Sequence, residues 1–257
     1  MGIRGAAKTD TGKVRTMNED AFGLFPEIAF YVVADGMGGH AGGEIASALA
    51  VETMQTSLET TKDEDLTPMV DNHGQTTVGG SRLLIAIEQA NNKVFSLSRE
   101  NPQLAGMGTT VAAILFDDQE TRANICHVGD SRVYRVRDGL IQLLTEDHTL
   151  VQHLIRTGKL KPEERETFPH RHVLTQAVGI GPTVQSTIRV EKPQHGDVFL
   201  LCSDGVHAVV SESEMVATVS QSGQDLSRAC DSLLKLVNDR GGPDNGTVVI
   251  LQYDGKK

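Results

Sequence analysis

Short apolar runs closed by turn residues recur along the chain, over 28–34, 109–116, 123–128, 132–136, 140–144, 185–190, 197–202 and 247–253. Runs of this length, rich in β-branched and aromatic residues, read as strands. Two of them are joined through Asp138-Gly139, a dipeptide that accepts the positive φ angles of a tight turn and so predicts an antiparallel hairpin. A helical period governs Leu226, Ala229, Cys230, Leu233, Leu236 and Val237, and again Leu83, Leu84, Ile87, Ala90 and Val94. Residues 41–58 place Ile45, Leu49 and Met54 on or near one helix face, and Ser211-Glu212-Ser213-Glu214 is a capping box opening a short helix to about Val219. The polar stretch 60–80, with Pro68 and Gly74, is expected as a loop, and 150–172 as a polar, partly helical excursion. Hairpin-joined strands with grouped helices predict a layered α+β fold with antiparallel sheets, not a doubly wound parallel one.

Composition narrows the class without naming a function. A chain of 257 residues, 39% hydrophobic and 23% charged, is expected to fold as one domain over 1–257. Its formal charge of -10 and lack of a Lys/Arg cluster speak against nucleic-acid binding. Cys126, Cys202 and Cys230 are odd in number and each sits in an apolar segment, so buried reduced thiols are expected, which suits a cytoplasmic setting. The N-terminus shows neither an apolar signal core nor a myristoylation pattern, no stretch approaches 18 apolar residues, and no membrane association is expected. No long apolar face goes unexplained, so a monomer is expected.

Acids at strand ends carry the chemistry. The run Phe30-Tyr31-Val32-Val33-Ala34 enters Asp35-Gly36, and Phe199-Leu200-Leu201-Cys202-Ser203 enters Asp204-Gly205. Asp130 follows Val128-Gly129, Asp244 follows Pro243, and the pair Glu19-Asp20 is expected just before the first strand. Any one Asp-Gly is an ordinary turn. Carboxylates converging from four strand ends would repel one another strongly unless divalent cations compensated. An all-oxygen donor set without His or Cys at ligand spacing fits magnesium or manganese, not zinc or copper. Two such ions can bridge a water, lower its pKa, and deliver hydroxide to phosphorus, so phosphoester hydrolysis is the reaction expected.

These residues fall into a known pattern. Val14-Arg15-Thr16-Met17-Asn18-Glu19-Asp20, Ala34-Asp35-Gly36-Met37-Gly38-Gly39-His40, Gly106-Met107-Gly108-Thr109-Thr110, His127-Val128-Gly129-Asp130-Ser131-Arg132, Cys202-Ser203-Asp204-Gly205 and Gly242-Pro243-Asp244-Asn245 occur in order. With them the chain resembles the metal-dependent protein phosphatases of type 2C, in their compact bacterial form, from Arg15 to about Val249. The resemblance implies a four-layer α-β-β-α sandwich of two antiparallel sheets flanked by helix pairs, and hydrolysis of phosphoserine and phosphothreonine on proteins. It implies that Asp35 bridges two Mg2+ or Mn2+ ions, that the Gly36 carbonyl holds the second, that Asp204 and Asp244 complete the first, and that Asp20 acts through metal-bound water. A third, weaker metal would fall to Asp130 with Asp204. Arg15 matches the arginine that grips the substrate phosphate, a task suited to a planar guanidinium.

The match is not complete. Animal members carry a histidine directly after Asp-Gly as acid for the leaving alcohol; Met37 stands there, leaving His40, three residues on, as candidate acid or plain loop residue. Gly246 and Val206-His207-Ala208 also depart from the family pattern without removing a ligand. Residues 149–172 correspond to the flap beside the cleft, which influences substrate choice and here carries His153, His170 and His172, expected to be solvated. The partners implied are phosphoprotein substrates, notably a serine/threonine kinase and its targets. Gly36-Met37-Gly38-Gly39-His40-Ala41 also fits a dinucleotide fingerprint, but no acid-tipped second strand follows within about 30 residues. Kinase motifs and a C-x5-R pocket are lacking. The rival of another class is a degenerate phosphatase fold that binds phosphoprotein without hydrolysing it; the intact aspartate set argues against it.

Overall fold

The computed structural model describes residues 2–38, 42–71, 74–117 and 121–255. The chain opens with β1 (Gly2–Asp10), β2 (Asp20–Phe25) and β3 (Phe30–Met37), followed by α1 (Gly42–Thr60), a small hairpin of β4 (Met69–Val70) and β5 (Thr76–Thr77), and α2 (Val78–Glu100). Then come β6 (Gly108–Thr109), β7 (Val111–Asp117), β8 (Arg122–Val128), β9 (Arg132–Arg137), β10 (Leu140–Leu143), α3 (Leu150–Arg156) and β11 (Thr187–Glu191). The C-terminal part is β12 (Val198–Cys202), α4 (Asp204–His207), α5 (Glu212–Ser222), α6 (Leu226–Asp239) and β13 (Gly246–Gly255).

Two antiparallel sheets result. One runs β1-β13-β12-β9-β10; the other runs β11-β8-β7-β3-β2, with β6 added beside β3. Alternate residues of each central strand point to opposite faces, and here both faces are covered. In β3, Phe30, Val32 and Ala34 pack with Ala46, Met54, Leu83 and Ile87 of α1 and α2. Tyr31 and Val33 instead meet Phe199, Leu201, Val249 and Leu251 of the other sheet. That sheet turns Leu200, Cys202, Val248 and Ile250 toward Met215, Leu226, Leu233 and Val237 of α5 and α6. The layers are therefore α-β-β-α, and strands buried on both faces read as unbroken apolar runs.

The expectations for the β9–β10 turn, the α5 cap and the cysteines hold. Asp138 and Gly139 take φ of 52° and 75° in the β9–β10 turn. Ser211 and Glu214 form the capping box of α5. All three cysteines are buried and unpaired. Among the described residues no helix is long and apolar enough to cross a membrane.

Others are corrected. Glu19-Asp20 does not precede the first strand: β1 comes earlier, and Asp20 itself opens β2. The strand expected at 28–34 begins at Phe30, because Pro26–Ile28 is a 3-10 turn ending on Ala29 with φ 51°. The run 109–116 is broken at Thr110 into β6 and β7. Within the expected loop 60–80 lie the β4–β5 hairpin and the start of α2, whose first turn Thr77 caps by accepting from the Gly80 amide.

Candidate metal and phosphate site

The catalytic candidates sit where both sheets end on one side. Asp20 and Asp35 are directly opposed partners across β2 and β3. Asp130 lies in the β8–β9 turn, Asp204 opens α4 directly after β12, and Asp244 precedes β13. Arg15, Asp35, Gly36, Asp130, Asp204 and Asp244 line one cleft of about 560 Å³. Asp20 sits behind them: its Oδ2 accepts from Ser203 Oγ at 2.8 Å, while its buried Oδ1 has no partner. His40 lies outside the described residues.

Backbone geometry fixes these positions. Asp35 donates its amide to Thr110 Oγ1 at 3.1 Å, and its carbonyl accepts from the Thr110 amide at 2.8 Å and Thr109 Oγ1 at 2.9 Å. Gly36 donates to the Glu19 carbonyl at 3.0 Å. A Cβ at Gly36 would stand 2.1 Å from the Gly43 carbonyl oxygen, so the approach of α1 to the tip of β3 demands glycine. Asn245 is the clamp of the site: its Oδ1 accepts from the Glu19 amide at 2.8 Å. Its Nδ2 donates to the carbonyls of Thr11 and Met17, both at 2.9 Å. The loop carrying Arg15 is thereby tied to the start of β13.

Electrostatically the cluster is uncomfortable. Burial first, then the charges of Asp20 and Asp204, hold the Asp35 carboxyl well above the usual carboxylate range. Burial pushes Asp20 up to about 6 despite hydrogen bonds that oppose the shift. Asp130 is pushed up to about 7 by burial and then by Asp204, and Asp204 is raised by burial and then by Asp244. Arg15 offsets part of this charge, donating from Nη2 to Asp244 Oδ2 at 2.8 Å. Like charges opposed across two strands disfavour folding, so this arrangement calls for added positive charge.

These side chains suit divalent cations in their chemistry. The donors are all oxygens, the Asp20 Oδ1 lone pairs are buried and unanswered, and the carboxyls are forced toward protonation, which suits hard cations. Among the described residues, however, no three His, Cys, Asp or Glu side chains already converge closely enough to grip an ion. The donor chemistry fits.

A model of the protein phosphatase 2C family matches residues 5–239. The chain belongs to the protein phosphatase 2C family. These are metal-dependent serine/threonine phosphatases. It is 34% identical over 255 residues to the serine/threonine protein phosphatase PstP of Mycobacterium tuberculosis, covering 98% of this chain and 46% of that protein, so it spans about half that relative's length. It is 36% identical over 251 residues to the serine/threonine phosphatase stp of Listeria monocytogenes, covering 96% of this chain and 94% of that one. The crystal structure of the PstP catalytic domain, in complex with two manganese ions, superposes with a TM-score of 0.79 at 33% identity over 97% of each chain. The α-β-β-α architecture of this chain is thus that of its relatives.

The departures from the family pattern take their places in this fold. His207 is part-buried and donates from Nε2 to the Asp130 carbonyl at 2.9 Å; desolvation pushes its pKa down to about 4, so it is neutral at pH 7. Gly246 starts β13 within 3.2 Å of Leu234 Cδ2, measured from a notional Cβ, so the missing side chain leaves room for α6. His148 donates to Thr187 Oγ1 at 3.2 Å, accepts from the Gly129 amide at 3.3 Å and stacks on His127. His153, His170 and His172 are exposed, and of these His172 lines the cleft. The sequence reading gave no role to Asn245, Thr110, Ser203 or His207. The first three lie inside or beside motifs it quoted, and that proximity was the available signal.

Proposed function

We propose that this chain hydrolyses phosphoserine and phosphothreonine on protein substrates, as one phosphatase domain acting at the acidic cleft. The observation that carries this is the convergence of Asp35, Asp130, Asp204 and Asp244, with Arg15 at the rim, on a single cleft. Asp35, with the Gly36 carbonyl, Asp204 and Asp244, would hold two Mg2+ or Mn2+ ions, with Asp20 behind them and Asp130 with Asp204 offering a third, weaker position. When bound, such ions supply countercharge for the carboxylates and a water activated for attack on phosphorus.

The protein's own groups do the rest. Arg15, half exposed at the rim, is free to swing from Asp244 to a phosphate and present two donors to two of its oxygens. The Thr109 and Thr110 hydroxyls hold the Asp35 backbone so that its carboxylate faces the cleft. His40 remains the candidate proton donor to the leaving alcohol, with His172 the described imidazole that lines the cleft. Two manganese ions in the PstP catalytic domain support the metal reading. The acidic, reducing-type composition supports a cytoplasmic enzyme, with a serine/threonine kinase and its targets as partners.

Asp35→Ala and Asp204→Ala are expected to abolish manganese-dependent hydrolysis of p-nitrophenyl phosphate while leaving the fold intact. Full activity in either variant would overturn the assignment.

A further inference from the structure

The flap differs in charge from the rest of the molecule. Residues 150–172 carry Arg156, Lys159, Lys161, Arg165 and Arg171 against Glu163, Glu164 and Glu166, an excess of two positive charges in a chain of formal charge -10. Two of these groups are already engaged. Arg165 is held by Asp147 and Gln152, and Glu164 Oε2 caps the Lys161 amide at 2.8 Å. Arg156, Lys159, Lys161 and Arg171 are exposed. None of the four makes an ion pair among the described residues, and the guanidinium of Arg171 donates to the Glu166 carbonyl at 3.4 Å. Arg156 also favours the C-terminal turn of α3 through the helix dipole. No such structural duty falls to Lys159 or Lys161.

This cationic segment is fastened to the rim of the catalytic cleft. Thr149 and Leu174 form an isolated bridge, the Leu150 amide donates to the Val173 carbonyl at 2.8 Å, and the Thr175 amide to the His148 carbonyl at 2.8 Å. His172, Leu174 and Thr175 then run along the cleft wall. An extended peptide rises about 3.3 Å per residue. Residues three to five positions from a phosphoresidue seated at Arg15 therefore lie roughly 10–17 Å from it. The cleft is lined by aspartates against Arg15, which the phosphate would occupy, so flanking acids would be met by cations outside it.

We propose that the flap selects phosphorylated segments flanked by Asp and Glu, with Arg156, Lys159 and Lys161 as the selecting charges. The inference rests on the phosphatase reading above and adds the substrate class to it. Exposed charge pairs are individually weak, so three together amount to about a five- to tenfold preference, which salt removes.

The test uses two phosphothreonine peptides that differ only in Glu or Ala at positions three to five from the phosphoresidue. Each is also prepared as a non-hydrolysable phosphonate. With manganese present, kcat/KM is measured for the unaltered enzyme and for the triple variant Arg156→Glu, Lys159→Glu, Lys161→Glu, and phosphonate affinity is read by fluorescence anisotropy. The expected result is that the unaltered enzyme favours the Glu peptide in both readouts, that 0.5 M NaCl erases the preference, and that the triple variant reverses it while hydrolysing p-nitrophenyl phosphate normally. An equal or greater preference for the Ala peptide, or an unchanged preference in the triple variant, overturns the inference. Glu-selective phosphonate binding without hydrolysis of any peptide would sustain the inference and sink the phosphatase reading instead.

Discussion

Asp130 offers a way to measure how strongly the cleft disfavours its own carboxylates. The residue is 9% exposed and its carboxyl is raised from 3.8 to about 7, first by burial, then by Asp204 and Asp147, against the pull of Arg132. For an acid whose folded pKa is raised, the native state binds more protons than the unfolded chain between the two pKa values. Stability is therefore highest below 3.8 and declines as pH rises through the window to about 7, above which the full penalty persists. At about 1.4 kcal/mol per pKa unit, the penalty is roughly 2 kcal/mol at pH 5 and roughly 4 kcal/mol at pH 7.5. Asp130→Asn keeps the shape and removes the charge. In EDTA, the variant should be more stable than the parent at both values, with an advantage about 2 kcal/mol larger at pH 7.5 than at pH 5. Urea unfolding at the two pH values, extrapolated linearly, reads this difference directly. Manganese should narrow the gap at pH 7.5, because bound cations relieve the parent alone of this repulsion. A pH-independent difference between the two proteins would refute the claim that the cleft holds Asp130 at an elevated pKa.

Two further substitutions probe the rim. Arg15→Ala should raise KM for phosphopeptides about tenfold or more while kcat with manganese changes less, because grip on the phosphate is lost and the carboxylate set is not; steady-state kinetics check this, and an unchanged KM would remove Arg15 from phosphate binding. Asn245→Ala breaks three hydrogen bonds to Thr11, Met17 and Glu19 and should cost about 1–3 kcal/mol in urea unfolding. It should also raise KM, since the Arg15 loop is no longer tied down; a variant of parental stability would show that the clamp is idle.

The layered architecture was legible because its physical cause is written in single residues. Strands buried on both faces must be apolar throughout, so 30–34 and 198–202 announced themselves. Edge strands escaped for the opposite reason. In β1, Arg4, Gly5, Lys8 and Asp10 interrupt any apolar run, and the strand exists because it pairs with β13 from Gly2 to Asp10, a partner more than 200 residues away. β2 hid similarly: Asp20-Ala21-Phe22-Gly23 carries no clear alternation, and its register against β3 is a tertiary fact. The α2 start was missed because Val78-Gly79-Gly80 has poor helix propensity, which the Thr77 cap and the packing of Leu83 and Ile87 override.

The site divides along the same line. Each aspartate was visible as an acid at the end of a strand, but nothing in the spacing of positions 35, 130, 204 and 244 says that they meet. That follows from topology: β3, β8, β12 and β13 belong to two sheets stacked face to face, with the tips carrying these residues on one side. A layered sandwich confines apolar surface between its sheets and leaves strand ends as the place where charged groups can gather without crossing the core. Gathering them there costs stability in every carboxyl raised by its neighbours, and the side-chain hydrogen bonds of Thr109, Thr110, Ser203 and Asn245 hold the arrangement against that repulsion. The residues invisible to sequence reasoning are thus those that oppose the repulsion. Their function is defined only relative to a charge cluster that the fold itself creates.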